Sequence, residues 1–390
     1  MAWLGPCIYI AGIALPFERD IPLLLLALVG LPTVVRSRGY GGSPLLRGCV
    51  IAFLAATVLS ILTSTDTGRS LRLSAPLLPA AFLYFVIAEH FHPTRHTRFL
   101  YLTFSAVALG VASVLLGHWW MKGGRAPSDV VAGVGIPILV VPNDVTFLSL
   151  VAPLAIAVFC CERHAAPRLL AALSIVLSAC AVVMLQSRVA TLAMVGSITT
   201  AALLIRPRLA LPCCLGMLAL AVAADGSLGF PMAAKFRNLG DPRIPLWFAA
   251  LSMFLEAPLF GQGAHTFGLL YRSYLHDFEL PSWVAMESRM VPWPHNLYLE
   301  LLAEQGLIGL AAFGALMVCG ITLAWRTRRA GVKDVQILTA GAVAALIGLC
   351  AAAAVELTLL RQWVVIMIFV LLAVISRLSV YGTDTKEVHR

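Results

Sequence analysis

Three short stretches carry residue types able to do chemistry at one face of a membrane. Gln186, Ser187 and Arg188 form a QSR tripeptide between two apolar runs, with almost no loop around it. Arg243 stands in GDPRIPLW (240–247), with Lys235 and Arg237 upstream. The third stretch, VPWPHNLYLELLAEQGLIGL (291–310), puts a His, an Asn and two Glu where an apolar helix begins. A guanidinium forks onto phosphate oxygens, and a helix N-terminus adds partial positive charge, so Arg188 suits an anion. A snorkelling arginine at a helix end is the alternative. Arg243 suits an anionic lipid headgroup, or attraction to bulk lipid alone. His295 is the one group near neutrality at this mouth, hence a candidate general base, or else a structural histidine bonded to the long loop before it. Asn296 can cap the helix. Asn296, Glu300 and Glu304 recur at i, i+4 and i+8 and so share one face. Lipid cannot accept that stripe, which predicts a protein-lined cavity opening outward. Glu356 and Arg361 flank a short turn, where a mutual ion pair closing the bundle is expected. Gly261, Gly263 and Gly268, in EAPLFGQGAHTFGLLY (256–271), permit tight turns or close backbone approach.

The elements that must hold these residues are membrane helices. Of 390 residues 60% are hydrophobic and 12% charged, with mean hydropathy +0.91, far from the balance of a soluble domain. An all-α polytopic membrane protein of about twelve spans follows. Their limits fall near 2–16, 20–35, 46–64, 71–88, 99–117, 145–161, 167–184, 188–205, 208–224, 298–324, 335–356 and 361–378. Segment 2–16 lacks a basic n-region and a cleavage site and reads as a short first span, not a signal peptide. Together these make one integral membrane domain over 1–390.

The net charge of +9 does not point to nucleic acid, because the cations sit in short clusters between apolar runs. Arg36, Arg38 and Arg47 form one cluster; Arg95 and Arg98, Arg163 and Arg168, and Arg206 and Arg208 form others. Arg326, Arg328, Arg329 and Lys333 follow, then Arg377, Lys386 and Arg390 in the tail. Every second loop is basic, which places these loops and both termini in the cytoplasm. Two longer segments fall on the other side: 118–144, with Trp119, Trp120 and a Pro142–Asn143–Asp144 turn, and 225–294. The latter is too long to be structureless. Within it IPLWFAALSMFLEAP (244–258) predicts a helix lying on the membrane. The nine cysteines show no zinc-ligand spacing with histidine and read as small buried hydrophobes.

QSRVATLA (186–193), RIPLWFAALSMFLEAPLFGQGAHTFGLLY (243–271) and PHNLYLELLAEQGLIGL (294–310) resemble, in that order, the O-antigen ligase superfamily of bacterial membrane proteins. The resemblance covers roughly 185–325, and the twelve-span layout with its large outer loop extends it. It implies a GT-C-type helical fold in the inner membrane. It also implies a metal-independent, inverting transfer of glycan from a polyprenyl (undecaprenyl) diphosphate carrier on the periplasmic face. By the matching motifs Arg188 and Arg243 would bind the donor diphosphate and His295 would be the catalytic histidine. Gln186, Ser187, Asn296, Glu300 and Glu304 stand beside them as supporting positions. No cofactor is implied. No D-x-D or comparable carboxylate pair on the outer side suggests a metal, and two arginines can supply its charge. A ligase would pass the finished polymer to a lipid A–core acceptor; length, the single large loop and the match around PHN favour it. A polymerase joining repeat units uses the same carrier site and stays open, as do other transferases of this type. The reading from a different class is a transporter of lipid-linked oligosaccharide. Transporters tend to show repeats and helices broken at the midplane, whereas these polar groups gather at the outer mouth.

Overall fold

The computed structural model describes residues 3–13, 41–123, 127–227, 243–275, 293–330 and 332–388, and every regular element among them is helical. The expected span 20–35, and with it Arg36, Arg38, Lys235, Arg237 and Arg390, lies outside the described residues. In chain order the helices are α1 (Leu4–Ile13), α2 (Pro44–Leu62), α3 (Thr67–Ser74), α4 (Leu77–His90), α5 (Arg95–Met121) and α6 (Pro127–Val134). A 3₁₀ turn, Pro142–Val145, leads into α7 (Thr146–Cys161), followed by α8 (Ala165–Met184), α9 (Arg188–Ile205) and α10 (Ala210–Ser227). The rest are α11 (Arg243–Glu256), α12 (Phe267–Leu275), α13 (Leu297–Ala330), α14 (Lys333–Ala353) and α15 (Gln362–Val388).

Nine helical stretches among the described residues are long and apolar enough to cross a membrane. They fall where the hydropathy put spans three to eight and ten to twelve. Spans one and nine form the shorter apolar helices Leu4–Ile13 and Pro207–Ala223. The apolar window of α15 is 89% buried, and those of α7 and α14 are 78% buried, against 28% for α8. Three helices therefore make the centre of the bundle and α8 faces outward. Composition explains the choice. Helix α14 is KDVQILTAGAVAALIGLCAAA, whose small side chains let backbones approach closely, the main route to helix association in lipid. It packs on α7, α9, α13 and α15. Hydroxyls tie the layers: Ser149 Oγ donates to the Ala190 carbonyl at 2.8 Å and Tyr101 Oη to that of Leu338 at 3.0 Å. Such bonds contribute roughly 0.6–2 kcal/mol each in membranes. All nine cysteines are free, and Cys160 and Cys180 are exposed rather than buried.

The basic clusters meet at one end of the bundle. Arg206, Arg328, Arg329 and Lys333 line one depression, with Trp325 among its walls. Arg98 pairs with Asp334 across helices, and Arg377 donates to the Phe91 and Gly41 carbonyls, both at 2.7 Å. The chain direction of each helix then puts Met184, Arg188, Leu297, Ala353 and Gln362 at the opposite end. The polar site lies there.

Candidate active site

Helix α13 opens as the sequence predicts. The Asn296 side chain accepts from the Tyr298 and Leu299 amides at 3.0 and 3.1 Å, satisfying two donors a helix start leaves over. His295 stands just before it with φ 53°, left-handed for a non-glycine residue, and its neighbour is fixed by Trp247 Nε1, which donates to the Pro294 carbonyl at 3.0 Å. Among the described residues the other non-glycine positions of positive φ are Gln186 and His265. Each costs of order 1–3 kcal/mol, and such strain gathers where a site needs a fixed geometry.

Glu356, from the turn between α14 and α15, joins two of the predicted residues. Its Oε1 lies 3.1 Å from His295 Nδ1, and its Oε2 accepts from Arg243 Nη2 at 2.7 Å. The side chains of His295, Arg243 and Glu356 are 14%, 19% and 5% exposed, so the carboxylate is interior and the other two reach the surface. A carboxylate paired with arginine only accepts, so Nδ1 donates to it, and in the neutral imidazole Nε2 is then the nitrogen with the lone pair. The expected Glu356–Arg361 pair does not form. Arg361 instead lies over the Trp293 ring, 4.7 Å from its centroid, and 3.5 Å from Asp144. Asp144 is held in turn by the Val140 and Val141 amides at 2.8 and 2.9 Å and by Trp363 Nε1 at 3.2 Å. Glu356 and Arg361 stand five positions apart on the eight-residue turn 354–361, and each pairs with a different partner, Glu356 with Arg243 and Arg361 with Asp144.

Arg188 begins α9. Ser187 is its N-cap, accepting from the Ala190 amide at 3.3 Å and donating to Asn143 Oδ1 at 2.8 Å. Through Asn143, Asp144, Arg361 and Trp293, whose ring centroid lies 5.0 Å from that of His295, the QSR segment belongs to the same end of the bundle. Arg243 and His295 thus meet on one carboxylate, and this relay from Ser187, next to Arg188, links the QSR segment to them.

The predicted polar stripe is divided. Asn296 is half-buried, but Glu300 and Glu304 are 1% and 3% exposed, so they line no open cavity. Helix α13 is interrupted at Gly306 (φ 64°), and the turn 258–263 lays its backbone along the break. Gln262 and Gly263 donate to the Ala303 and Glu304 carbonyls at 3.0 and 2.9 Å, and Leu307 to that of Pro258 at 2.8 Å. A Cβ at Gly261 (φ 69°) would meet the Glu304 carbonyl carbon at 2.3 Å, which is why this turn requires glycine. Glu304 accepts from the His265 and Phe267 amides at 2.7 and 2.9 Å, capping α12; Glu300 accepts from the Leu359 amide at 3.0 Å. His265 is buried beside them. Burial, with the Arg69 charge nearby, pushes its imidazole down to about 4, so it is neutral at pH 7.

Helix α11 forms over Arg243–Glu256 and packs Leu246, Ala249, Ala250 and Met253 on Phe267, Tyr271 and Ala303, leaving Phe248, Leu251 and Leu255 exposed. That packing orients Arg243. Sequence reasoning gave His265 no role and read Asn143 and Asp144 only as part of a turn. The only signal for them is a polar residue inside a Gly-rich or Pro-led turn beside an apolar helix.

Residues 173–314 match the family model described as O-antigen ligase, under half of the chain but including Arg188, Arg243, His265, His295, Glu300 and Glu304. No curated protein matches the chain. With nine spanning-length helices among the described residues, the chain is a multi-pass membrane protein that carries a segment similar to the O-antigen ligase family.

Proposed function

We propose that this protein is an O-antigen ligase, transferring a glycan polymer from an undecaprenyl diphosphate carrier to a hydroxyl of lipid A–core at the periplasmic face of the inner membrane. In this reading the chain is one membrane domain of twelve spans and GT-C type, with 225–294 its outer loop and both termini cytoplasmic. The alternation of basic loops supports the orientation. The observation that carries the reading is His295 held by Glu356, beside Arg243, at the end of the bundle away from those loops.

The chemistry runs as follows. The acceptor oxygen attacks the anomeric carbon from the face opposite the diphosphate, forming the new glycosidic bond with inversion. The hydroxyl proton passes to His295 Nε2, and Glu356 stabilises the imidazolium that results. The bond from the anomeric carbon to the phosphate oxygen breaks with its electron pair, and the charge that builds on the departing diphosphate is met by Arg188 and Arg243. The carrier stays anchored in the membrane, which accounts for a site at headgroup level. A polymerase would use the same steps with a growing repeat-unit chain as acceptor.

Deleting the gene in its host and examining surface polysaccharide on a gel tests this. Polymer retained on the carrier over bare lipid A–core, restored by wild type and not by His295→Ala, is the expected result. Single repeat units on core would make it a polymerase, and lipid-linked glycan trapped on the inner leaflet, none of it reaching the periplasmic face, would make it a transporter.

A further inference from the structure

His265, Glu300 and Glu304 each bring a ligand atom within 4.8 Å of the other two, in the interior of the protein. Their exposures are 5%, 1% and 3%. Among the described residues no hydrogen bond joins their side chains to one another; the His265 backbone amide donates to Glu304. Glu304 spends both oxygens on the His265 and Phe267 amides and Glu300 spends one on the Leu359 amide. That leaves Nδ1 of His265 and Oε2 of Glu300, both buried, with no hydrogen-bond partner among the described residues. Orphaned buried polar atoms cost about 1–3 kcal/mol each, so two in one cluster ask for an occupant. Two carboxylates face one nearby cation, Arg69, whose Nε donates to the His265 carbonyl at 3.1 Å. The group is therefore short of positive charge and long of lone pairs.

We propose that His265, Glu300 and Glu304 hold a structural divalent cation of the zinc or manganese class. One imidazole and two carboxylates suit a borderline ion, whereas calcium and magnesium prefer oxygen-only shells with more ligands. Ligands about 2.1 Å from a tetrahedral ion lie about 3.4 Å apart, so a ring whose atoms fall within 4.8 Å closes onto an ion with side-chain shifts of about an ångström. The ion would fasten the 261–267 turn to the first part of α13, whose Glu300 also holds the turn after Glu356 through the Leu359 amide. It lies among groups the transfer chemistry does not touch, so it is a clamp rather than a participant.

The full-length protein, purified in detergent without chelator, is assayed for metal by mass spectrometry and for melting temperature before and after EDTA, then after adding back Zn²⁺ or Mn²⁺. About one equivalent of metal per chain is expected, with a fall in melting temperature of several degrees on stripping and recovery on reloading. Glu300→Gln and His265→Gln should lose the metal, and His295→Ala should keep it. Metal well below stoichiometry together with melting indifferent to EDTA and to added ions would overturn the proposal, and would leave a proton shared between the two carboxyls. Full metal content in both Glu300→Gln and His265→Gln would overturn it too. Should those variants fail to fold, the stripping and reloading of wild type decides alone.

Discussion

Two histidine–glutamate clusters lie about the start of helix α13, one just before it and one within its first turns, and their environments give them opposite uses. At the mouth, His295, Glu356 and Arg243 satisfy one another, and the imidazole and guanidinium still reach the surface. Beneath it, His265, Glu300 and Glu304 are closed off, and atoms of His265 and Glu300 go unpaired. A balanced, half-exposed cluster can take up a proton or a phosphate without disturbing the fold. A sealed and unbalanced one can only hold segments together. The same residue types thus divide into chemistry and scaffold by access and by the supply of partners.

Breaking the outer cluster should cost activity and little stability. Arg188→Ala and Arg243→Ala should each slow transfer by about 10²–10³-fold, as loss of a charge on a developing oxyanion does. Both proteins should still insert and melt near wild type, measured by fluorescence in detergent. Glu356→Gln keeps the shape but loses the charge that sets the histidine tautomer, and a loss of about 10²-fold is expected. Its mark is a fall in kcat with little change in KM, which a merely structural role would not produce. The inner cluster should behave the other way. Glu304→Ala uncaps two buried amides and should cost about 2–4 kcal/mol in unfolding measurements, with the surviving folded fraction active. Smallest, Gly261→Ala places a Cβ against the Glu304 backbone at positive φ and should cost about 1–3 kcal/mol, leaving the turnover of folded protein unchanged. Equal activity losses without destabilisation in Glu304→Ala would erase the distinction between the clusters.

Much of this was legible in the sequence because it rests on local rules. Hydropathy places the helices, Ser187 and Asn296 announce the helix starts, and alternating basic loops assign an end to each. The motifs single out Arg188, Arg243 and His295. Pairing across the chain was not legible. Glu356 lies five residues from Arg361 but bonds residues 61 and 113 positions away, because side-chain direction at a turn decides the partner. The break at Gly306 was hidden too, since a glycine in an apolar helix reads as tolerated until a second backbone is seen against it. That break, with its partner turn at 258–263, brings His265 to Glu300 and Glu304 from more than thirty residues away.

The most direct test of the account is transfer by purified, reconstituted protein, given undecaprenyl diphosphate-linked glycan and lipid A–core, with wild type and His295→Ala compared in the same vesicles. The account predicts that His295→Ala falls by about 10²–10⁴-fold, the usual worth of a general base, while its melting temperature stays within a degree or two of wild type. Transfer by a folded His295→Ala at near wild-type rate would contradict it.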